Sequence, residues 1–193
     1  MSGFGTRLAA KAWSMWFAVR HGASFGRLGR TAFMFRPYRL DGAAGIEIGD
    51  GTSLQRGSWL YCVSPDDHAA CLRIGAHCDF GYNNHITCVR DVIIEDHVLT
   101  ANNVYIADNL HEFEDVTRPI KEQPVRFKGP VRIGRGAWIG ENACIIGASV
   151  GRNSVVGANA VVTHDIPDYC VAVGVPARVI RRYENGAWIA IEV

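Results

Sequence analysis

A hydrophobic residue recurs at every sixth position over much of this chain of 193 residues, and we call this spacing the beat. It restricts the possible folds of the chain more than any other feature. Neither an amphipathic helix nor an alternating strand has this period, so both are poor accounts of the segment. A short strand plus a corner in each hexad explains it, with three hexads closing a triangular coil and coils stacking about 4.8 Å apart. The residues on the beat, in runs separated by longer intervals, are Ile48, Leu54, Leu60, Ile74, Phe80, Ile86, Ile94, Ile106, Ile133, Ile139, Ile145, Val156 and Val162.

Interruptions of the beat divide the chain into parts. Between Leu110 and Val131 the beat is absent and three prolines occur, which predicts an excursion loop at about 112–130, and long ordered loops often carry function. The sequence predicts three parts: a basic N-terminal arm, partly helical, at 1–45; a β-helix at 46–170; and a C-terminal cap at 171–193.

Composition excludes several classes of protein. Hydrophobic residues make up 48% and charged residues 20%, which excludes a wholly disordered chain, and no apolar run approaches the roughly twenty residues that a bilayer requires. The net charge of +1 gives no reason to expect a nucleic-acid partner. The six cysteines form no C-x-x-C pair and follow no recognisable signal sequence, so we expect reduced thiols in a cytoplasmic protein.

Residues 6–21 predict an amphipathic helix in a segment with unusual charge. Residues 1–40 contain seven basic residues and no acid. Leu8, Ala12, Trp16 and Val19 form one helical stripe, which Trp13 and its neighbours widen. The stripe suits peripheral contact with an anionic membrane, or docking on the prism base or a neighbouring subunit, and an organellar targeting peptide is also compatible with the composition.

The repeats IGRGAW-IGENAC and VGRNSV-VGANAV, followed by VAVGVPARVIRR, carry a family resemblance. Over residues 46–183 the sequence resembles the hexapeptide-repeat acyltransferases, and within them the sugar O-acetyltransferases. The resemblance implies an all-β fold, a left-handed parallel β-helix with an N-terminal helical arm and a C-terminal cap, assembled as a homotrimer. It also implies transfer of an acetyl group from acetyl-CoA to a hydroxyl of a saccharide acceptor, in cell-envelope or exopolysaccharide biosynthesis.

His111 is the predicted general base. It stands at the end of a repeat, where the excursion loop begins, and an imidazole with a reference pKa of about 6.5 suits proton removal from a hydroxyl. The acetyltransferases that the sequence resembles place their catalytic histidine there. The alternative is a histidine that only caps the coil. Four nearby acids are candidates to orient the imidazole, Asp108 being preferred; the others are Glu112, Glu114 and Asp115.

Asn83 and Asn84 are the predicted acceptor-binding residues. Asn84 stands four positions after the inward Phe80, where a polar group needs a partner. In the sugar acetyltransferases that this sequence resembles, an asparagine at the place of Asn83 binds the acceptor. The resemblance therefore assigns acceptor contact to Asn83, and Asn84 is the second candidate for this role. An asparagine ladder, or a corner residue in left-handed conformation, is the alternative.

The predicted donor site lies on the C-terminal coils. Pantetheine can follow stacked strands where side chains are small, although the fold itself also favours small residues there. Trp138 occupies a place where similar enzymes have an aromatic residue beside the catalytic pocket. The alternative is that Trp138 packs between subunits of the trimer. The predicted acetyl-CoA-binding residues are Trp138, Gly140, Gly157, Ala158, Thr163, His164, Arg178 and Arg181, the arginines and Thr163 being assigned to the 3′-phosphate. His164 departs from the basic residue common in the family.

A metal is not expected. His77, His85 and His97 invite comparison with carbonic anhydrases of this fold, but the ligand spacing of that family is missing. Two alternatives to a sugar O-acetyltransferase stay open at this point: an N-acyltransferase acting on a nucleotide-linked amino sugar, and a non-catalytic β-helix scaffold. The sequence does not specify the acceptor sugar or the acyl chain length.

Overall fold

The structure is a computed structural model that describes the backbone of residues 3–191 and the side chains of residues 7–191. One α-helix, α1 (Gly3–His21), precedes the strands. The strands in chain order are β1 (Arg27–Leu28), β2 (Phe33–Met34), β3 (Arg39–Asp41), β4 (Ile46–Ile48), β5 (Ser53–Leu54), β6 (Trp59–Cys62), β7 (Cys71–Ile74), β8 (Asp79–Phe80), β9 (His85–Cys88), β10 (Asp91–Ile94), β11 (Leu99–Thr100), β12 (Tyr105–Ala107), β13 (Asn109–His111), β14 (Val125–Phe127), β15 (Val131–Ile133), β16 (Trp138–Ile139), β17 (Cys144–Ile146), β18 (Val155–Val156), β19 (Val161–Val162), β20 (Cys170–Val173), β21 (Arg178–Glu184) and β22 (Ala187–Ala190).

Three parallel sheets form the sides of a prism, as the hexads predict. Face A has the order β1-β4-β7-β10-β15, face B begins β2-β5-β8-β11-β16-β18-β20, and face C contains β3-β6-β9-β12-β17-β19. Successive strands of the chain therefore occupy faces A, B and C in turn, and each coil pairs with the next in register. This confirms the prediction of an all-β parallel β-helix.

The core consists of ladders of inward side chains. On face A, Ile48 pairs with Ile74, then Ile94 and Ile133 follow in register, and each is at most 3% exposed. Burying an aliphatic side chain of this size contributes about 1.5–3 kcal/mol, so the ladders are the main source of stability. Thr100 interrupts the face B ladder with a buried hydroxyl, which accepts a hydrogen bond from Asn84 at 3.1 Å.

The β-helix begins earlier than the expected boundary at residue 46. Strands β1, β2 and β3 pair in parallel with β4, β5 and β6, so residues 27–41 form a first coil inside the expected arm. Leu28, Met34 and Leu40 stand six residues apart and supply its inward positions. The many arginines in this segment lie on outward positions and at corners, which obscures the beat.

Helix α1 closes the base of the prism. Phe17 is buried, Trp13 meets Phe35 edge to face at 5.8 Å, and the Ser14 hydroxyl accepts a hydrogen bond from the Met34 amide at 3.0 Å. The helix therefore docks on the prism through the widened side of its stripe. The residues left exposed on its other side are Leu8, Met15, Trp16 and Val19. No helix in residues 3–191 has the length and apolarity to span a membrane.

The excursion loop and the C-terminal segment leave the parallel pattern. Strands β13 and β14 pair in antiparallel fashion, so the loop is a hairpin over the edge of face C. Gln123, buried in this loop, donates hydrogen bonds to the Asp115 and Arg118 carbonyls at 2.9 and 3.1 Å. At the other end, β21 and β22 add to β20 as an antiparallel extension of face B.

Candidate active site

A cleft of about 430 Å³ lies between face C and the hairpin β13–β14. His111, the last residue of β13, stands on its rim with an exposed side chain. The Asn109 and Leu110 positions of the same strand continue the wall, and Val125 of β14 faces them. The full lining is Trp59, Tyr61, His85, Thr87, Tyr105, Asn109, Leu110, His111, Val125 and Ile146.

Three outward residues of successive coils form the aromatic wall of this cleft. Trp59 stacks on His85 with ring centroids 4.1 Å apart and planes 7° from parallel, and Tyr105 lies 5.1 Å from His85 on the other side. The Tyr105 hydroxyl is 3.5 Å from that of Thr87, and the Asn109 amide donates to the Thr87 hydroxyl at 3.2 Å. The cleft thus combines aromatic edges with a short row of hydroxyl and amide groups.

The two imidazoles of the cleft differ in environment. His85 is half-buried, its Nε2 atom has no hydrogen-bond partner among the described residues, and burial lowers the pKa of its imidazole. A lowered pKa keeps His85 neutral near pH 7. His111 is open to solvent, and its ring makes no hydrogen bond within residues 3–191, which leaves both ring nitrogens available to a ligand.

The structure does not bring Asp108 to His111. The Asp108 carboxylate is fully buried and accepts hydrogen bonds from the amides of Val89, Arg90 and Asp91 at 2.8 to 2.9 Å, and from the Asn109 side chain at 2.8 Å. Its acceptor capacity is used by the 89–91 turn, so the preference for Asp108 as the orienting acid is not supported by its geometry.

The carboxylates of two other candidate acids, Glu114 and Asp115, are also engaged elsewhere. Hydrogen bonds from the backbone amides of Phe113 and Glu114, together with the ion pair to Arg126 at 3.2 Å, keep the pKa of Glu114 below its ordinary value. Asp115 accepts the Thr117 hydroxyl at 2.6 Å. Glu112 is half-buried, and its backbone amide donates to Pro124 across the hairpin.

Both predicted acceptor-binding asparagines are part of the coil. Asn83 has a left-handed φ of 57° and donates to the Asn103 side chain of the next coil at 3.2 Å. Asn84 is 1% exposed; its amide donates to Gly81, Thr100 and Ala101, and its oxygen accepts from the Val104 amide at 3.0 Å. The ladder and corner alternative therefore describes their contacts, because neither side chain lines the cleft.

The predicted donor residues fall into three places. Gly140, Gly157 and Ala158 share a corner, where a Cβ on Gly140 would stand 2.6 Å from the Ala158 amide nitrogen. Trp138 is 50% exposed on the outer side of face B, paired with Leu99.

The remaining four predicted donor residues lie at the C-terminal end. The Thr163 hydroxyl is 3.1 Å from His164 Nδ1 after β19, and Arg178 and Arg181 lie on β21, exposed and in no ion pair with a described carboxylate. Within one chain, none of the predicted donor residues lines the His111 cleft.

Histidines and cysteines form no convergent ligand set in the described chain. No group of three or more His, Cys, Asp or Glu side chains within it has the geometry to hold a metal ion. His77 and His97 stack at one corner with centroids 5.2 Å apart, whereas His85 lies on face C. All six cysteines in the described region are free thiols.

Sequence reasoning missed the aromatic wall, although its signal is present. Trp59, His85 and Tyr105 each immediately precede an inward aliphatic of the beat, so they occupy the same outward column of face C. The column can be found in the sequence by looking for aromatic and polar residues immediately before each inward residue of the beat. The prediction instead followed the inward and corner positions that hold Asn83 and Asn84.

The ladders and the three-sided coil define a parallel β-helix protein of the hexapeptide type, with a histidine-bearing cleft on one face. The family model described as the hexapeptide repeat of succinyl-transferase matches residues 130–164. Over 182 residues, 90% of this chain, the sequence is 36% identical to a Mycobacterium tuberculosis protein described as a probable acetyltransferase. It is 41% identical over 110 residues, 55% of this chain, to the galactoside O-acetyltransferase of Escherichia coli.

Solved structures agree on the fold. The N-acyltransferase AntD from Bacillus cereus, in complex with dTDP and 3-hydroxybutyryl-CoA, superposes with a TM-score of 0.71 at 19% identity, covering 84% of this chain and 85% of that one. A maltose O-acetyltransferase from Clostridium difficile has a TM-score of 0.59 at 24% identity, covering 92% and 88%. The chain spans 60% and 53% of the length of the two relatives above. Over most of its length the chain is therefore similar to the hexapeptide-repeat acyltransferases.

Proposed function

We propose that this protein transfers an acetyl group from acetyl-CoA to a hydroxyl of a saccharide, in cell-envelope or exopolysaccharide biosynthesis, with His111 as general base. The observation that carries the proposal is the His111 cleft, where an unpartnered imidazole faces an aromatic wall with hydroxyl and amide groups. The galactoside O-acetyltransferase among the relatives supports the acceptor class.

His111 performs the proton transfers in this proposal. Its imidazole takes the proton of the acceptor hydroxyl as that oxygen forms a bond to the carbonyl carbon of the thioester. The carbon–sulfur bond then breaks, and the imidazolium returns the proton to the departing sulfur, so the products are an acetyl ester and free coenzyme A. Neutral His85 and Tyr105 stand on the opposite wall, where they can hydrogen-bond the acceptor.

The C-terminal coils offer groups that fit coenzyme A. Ala158 is a small, exposed residue past which pantetheine can lie, whereas Gly140 is buried against the Gly157–Ala158 backbone and shapes the corner. Arg178 and Arg181 are exposed cations without a carboxylate partner among the described residues, as a 3′-phosphate site requires. When bound, acetyl-CoA supplies the activated acetyl group.

The outer faces of the prism support a trimer. Face A carries ion pairs such as Arg73–Glu47 and Arg132–Glu95, which are ordinary for a solvated surface. Face B presents apolar outward residues at Leu99, Trp138 and Val155, and face C presents the aromatic wall. Two different apolar faces can meet head to tail, and three such contacts close a ring. In the trimer that we propose, Trp138 of one subunit lies toward the His111 cleft of the next.

We also propose that α1 makes peripheral contact with an anionic membrane. Leu8, Met15, Trp16 and Val19 are exposed on the side away from the prism, and the flanking charges of the segment are all basic. Apolar side chains beside lysine and arginine suit the boundary between acyl chains and acidic headgroups.

A thiol-release assay with acetyl-CoA tests the function. We expect release with one or more members of a panel of free, nucleotide-linked and lipid-linked saccharides, and product analysis separates O- from N-acetylation. His111→Ala should lower kcat/KM by about 10²–10⁴-fold, the contribution of a positioned base. The control is His97→Ala, an exposed histidine on a distant corner. Full activity in His111→Ala, or no acetylation of any acceptor by the wild type, would refute the proposal.

A further inference from the structure

A second cleft of about 440 Å³ lies where α1 overhangs face B. We call it the basal cleft, and its lining is Arg7, Ala10, Lys11, Phe33, Phe35, Gln55 and Tyr82. Two turns of the helix supply the cationic wall, and outward residues of the first coils supply the floor. The cleft is separate from the His111 cleft, since the two have no lining residue in common.

The cations of the basal cleft have no internal counter-ion. Arg7 and Lys11 form no ion pair with a carboxylate in the described region, and the lining contains no acid. Arg36 adds a third positive charge, with its guanidinium carbon 5.5 Å from the Phe35 ring centroid. Asp79, in the same outward column of face B as Phe33, accepts a hydrogen bond from the Ser53 hydroxyl instead. The basal cleft therefore favours an anion.

The floor of the basal cleft is aromatic. Phe33 and Phe35 lie with ring centroids 6.3 Å apart and planes 24° from parallel. Tyr82 is 52% exposed, so its ring is open to a ligand, whereas Phe33 and Phe35 are half-buried. Cations beside aromatic rings suit a phosphate that is attached to a flat or apolar group.

The chain connects the two clefts directly. Tyr82 lines the basal cleft and His85 lines the His111 cleft, and three residues of extended chain span at most about 11 Å. A sugar joined to a diphosphate has a comparable length. One ligand can therefore place its phosphates at Arg7 and Lys11 and turn the corner at Asn83, so that its sugar enters the His111 cleft at His85.

We propose that the basal cleft binds the diphosphate of a carrier-linked saccharide, and that this compound is the acceptor. The proposal rests on the proposed function, because it identifies the substrate class of that reaction. A diphosphate can come from a nucleoside diphosphate or from a prenyl diphosphate, and the arms of the experiment distinguish the two.

Binding measured by calorimetry without acetyl-CoA tests the proposal independently of catalysis. The probes are inorganic pyrophosphate, UDP and farnesyl diphosphate. In Arg7→Ala/Lys11→Ala we expect affinity for pyrophosphate to fall at least tenfold. The control Arg20→Ala/Arg30→Ala removes the same charge from the same basic segment outside the cleft, and should change affinity less than twofold.

The aromatic floor is tested with Tyr82→Ala. This variant should lower the affinity for UDP or farnesyl diphosphate, whichever the wild type binds more tightly than pyrophosphate, and leave the affinity for pyrophosphate unchanged. The probe that the wild type binds more tightly identifies the carrier. His111→Ala should bind all probes like wild type, so failure of acetyl transfer would not affect this result. The proposal is overturned if wild type binds no diphosphate, if the control loses as much affinity as Arg7→Ala/Lys11→Ala, or if neither carrier exceeds pyrophosphate.

Discussion

At Asp108 a single carboxylate fixes the turn that supports the candidate site. It accepts three backbone amides of residues 89–91, and its own backbone carbonyl accepts the Lys128 amide, so it links β9, the hairpin and the coil below. Buried amides that lose their acceptor cost about 1–3 kcal/mol each. Asp108 therefore acts on the site by holding its frame.

Replacing this carboxylate separates a structural role from a catalytic one. Asp108→Asn should lower the free energy of unfolding by about 3 kcal/mol, because two or more amides lose a charged acceptor. The folded variant should keep kcat within about tenfold of wild type, well above His111→Ala. Asp165→Asn, which loses one exposed contact to the Ser149 amide, should cost less than about 1 kcal/mol. Unchanged stability in urea with a kcat as low as that of His111→Ala would make Asp108 the orienting acid instead.

Residue roles were harder to predict than positions. The beat correctly indicates that Asn84 points inward, because it lies four residues after Phe80. Because it points inward, its side-chain amide forms hydrogen bonds with Thr100 and with three backbone groups. These partners come together only in the folded coil, so the sequence alone does not reveal them. His111 could be located from the end of the beat, whereas its distance from every nearby acid depends on the hairpin geometry.

At the scale of elements, α1 has two apolar sides with different partners. Trp13 and Phe17 close the prism, whereas Trp16 and Val19 remain outside. The sequence predicts the helix and its stripe but does not assign each side, because both sides are apolar and adjacent. The first coil was also missed in the sequence, because its inward residues Leu28, Met34 and Leu40 lie among arginines.

The exposed side of α1 is expected to bind anionic vesicles. Wild type should pellet with vesicles containing acidic phospholipid at low salt and less so at high salt, because screening weakens the basic contribution. Trp16→Ser/Val19→Ser should lose most of this binding. The matched control Val116→Ser/Val175→Ser replaces two exposed valines elsewhere and should bind like wild type. Equal pelleting of both variants, or none by wild type, would contradict the membrane contact.

At the scale of the whole molecule, the prism divides its surface by face. The ion pairs of face A suit water, and each is worth little by itself. The apolar outward residues of face B from Leu99 onward, and the aromatic wall of face C, suit the contact between copies that we propose. In that proposed arrangement the predicted donor residues of one subunit lie beside the His111 cleft of another, which explains their separation from His111 within one chain. Outward columns can be read from the sequence once the beat is assigned, but their pairing between subunits cannot.

A crystal structure of the assembled protein with coenzyme A is the decisive experiment for the role of His111. We expect the thiol in the face C cleft, with its sulfur about 3 Å from a His111 ring nitrogen, and the 3′-phosphate at Arg178 and Arg181. A thiol that ends outside this cleft, with His111 pointing away from it, would show that His111 is not the base.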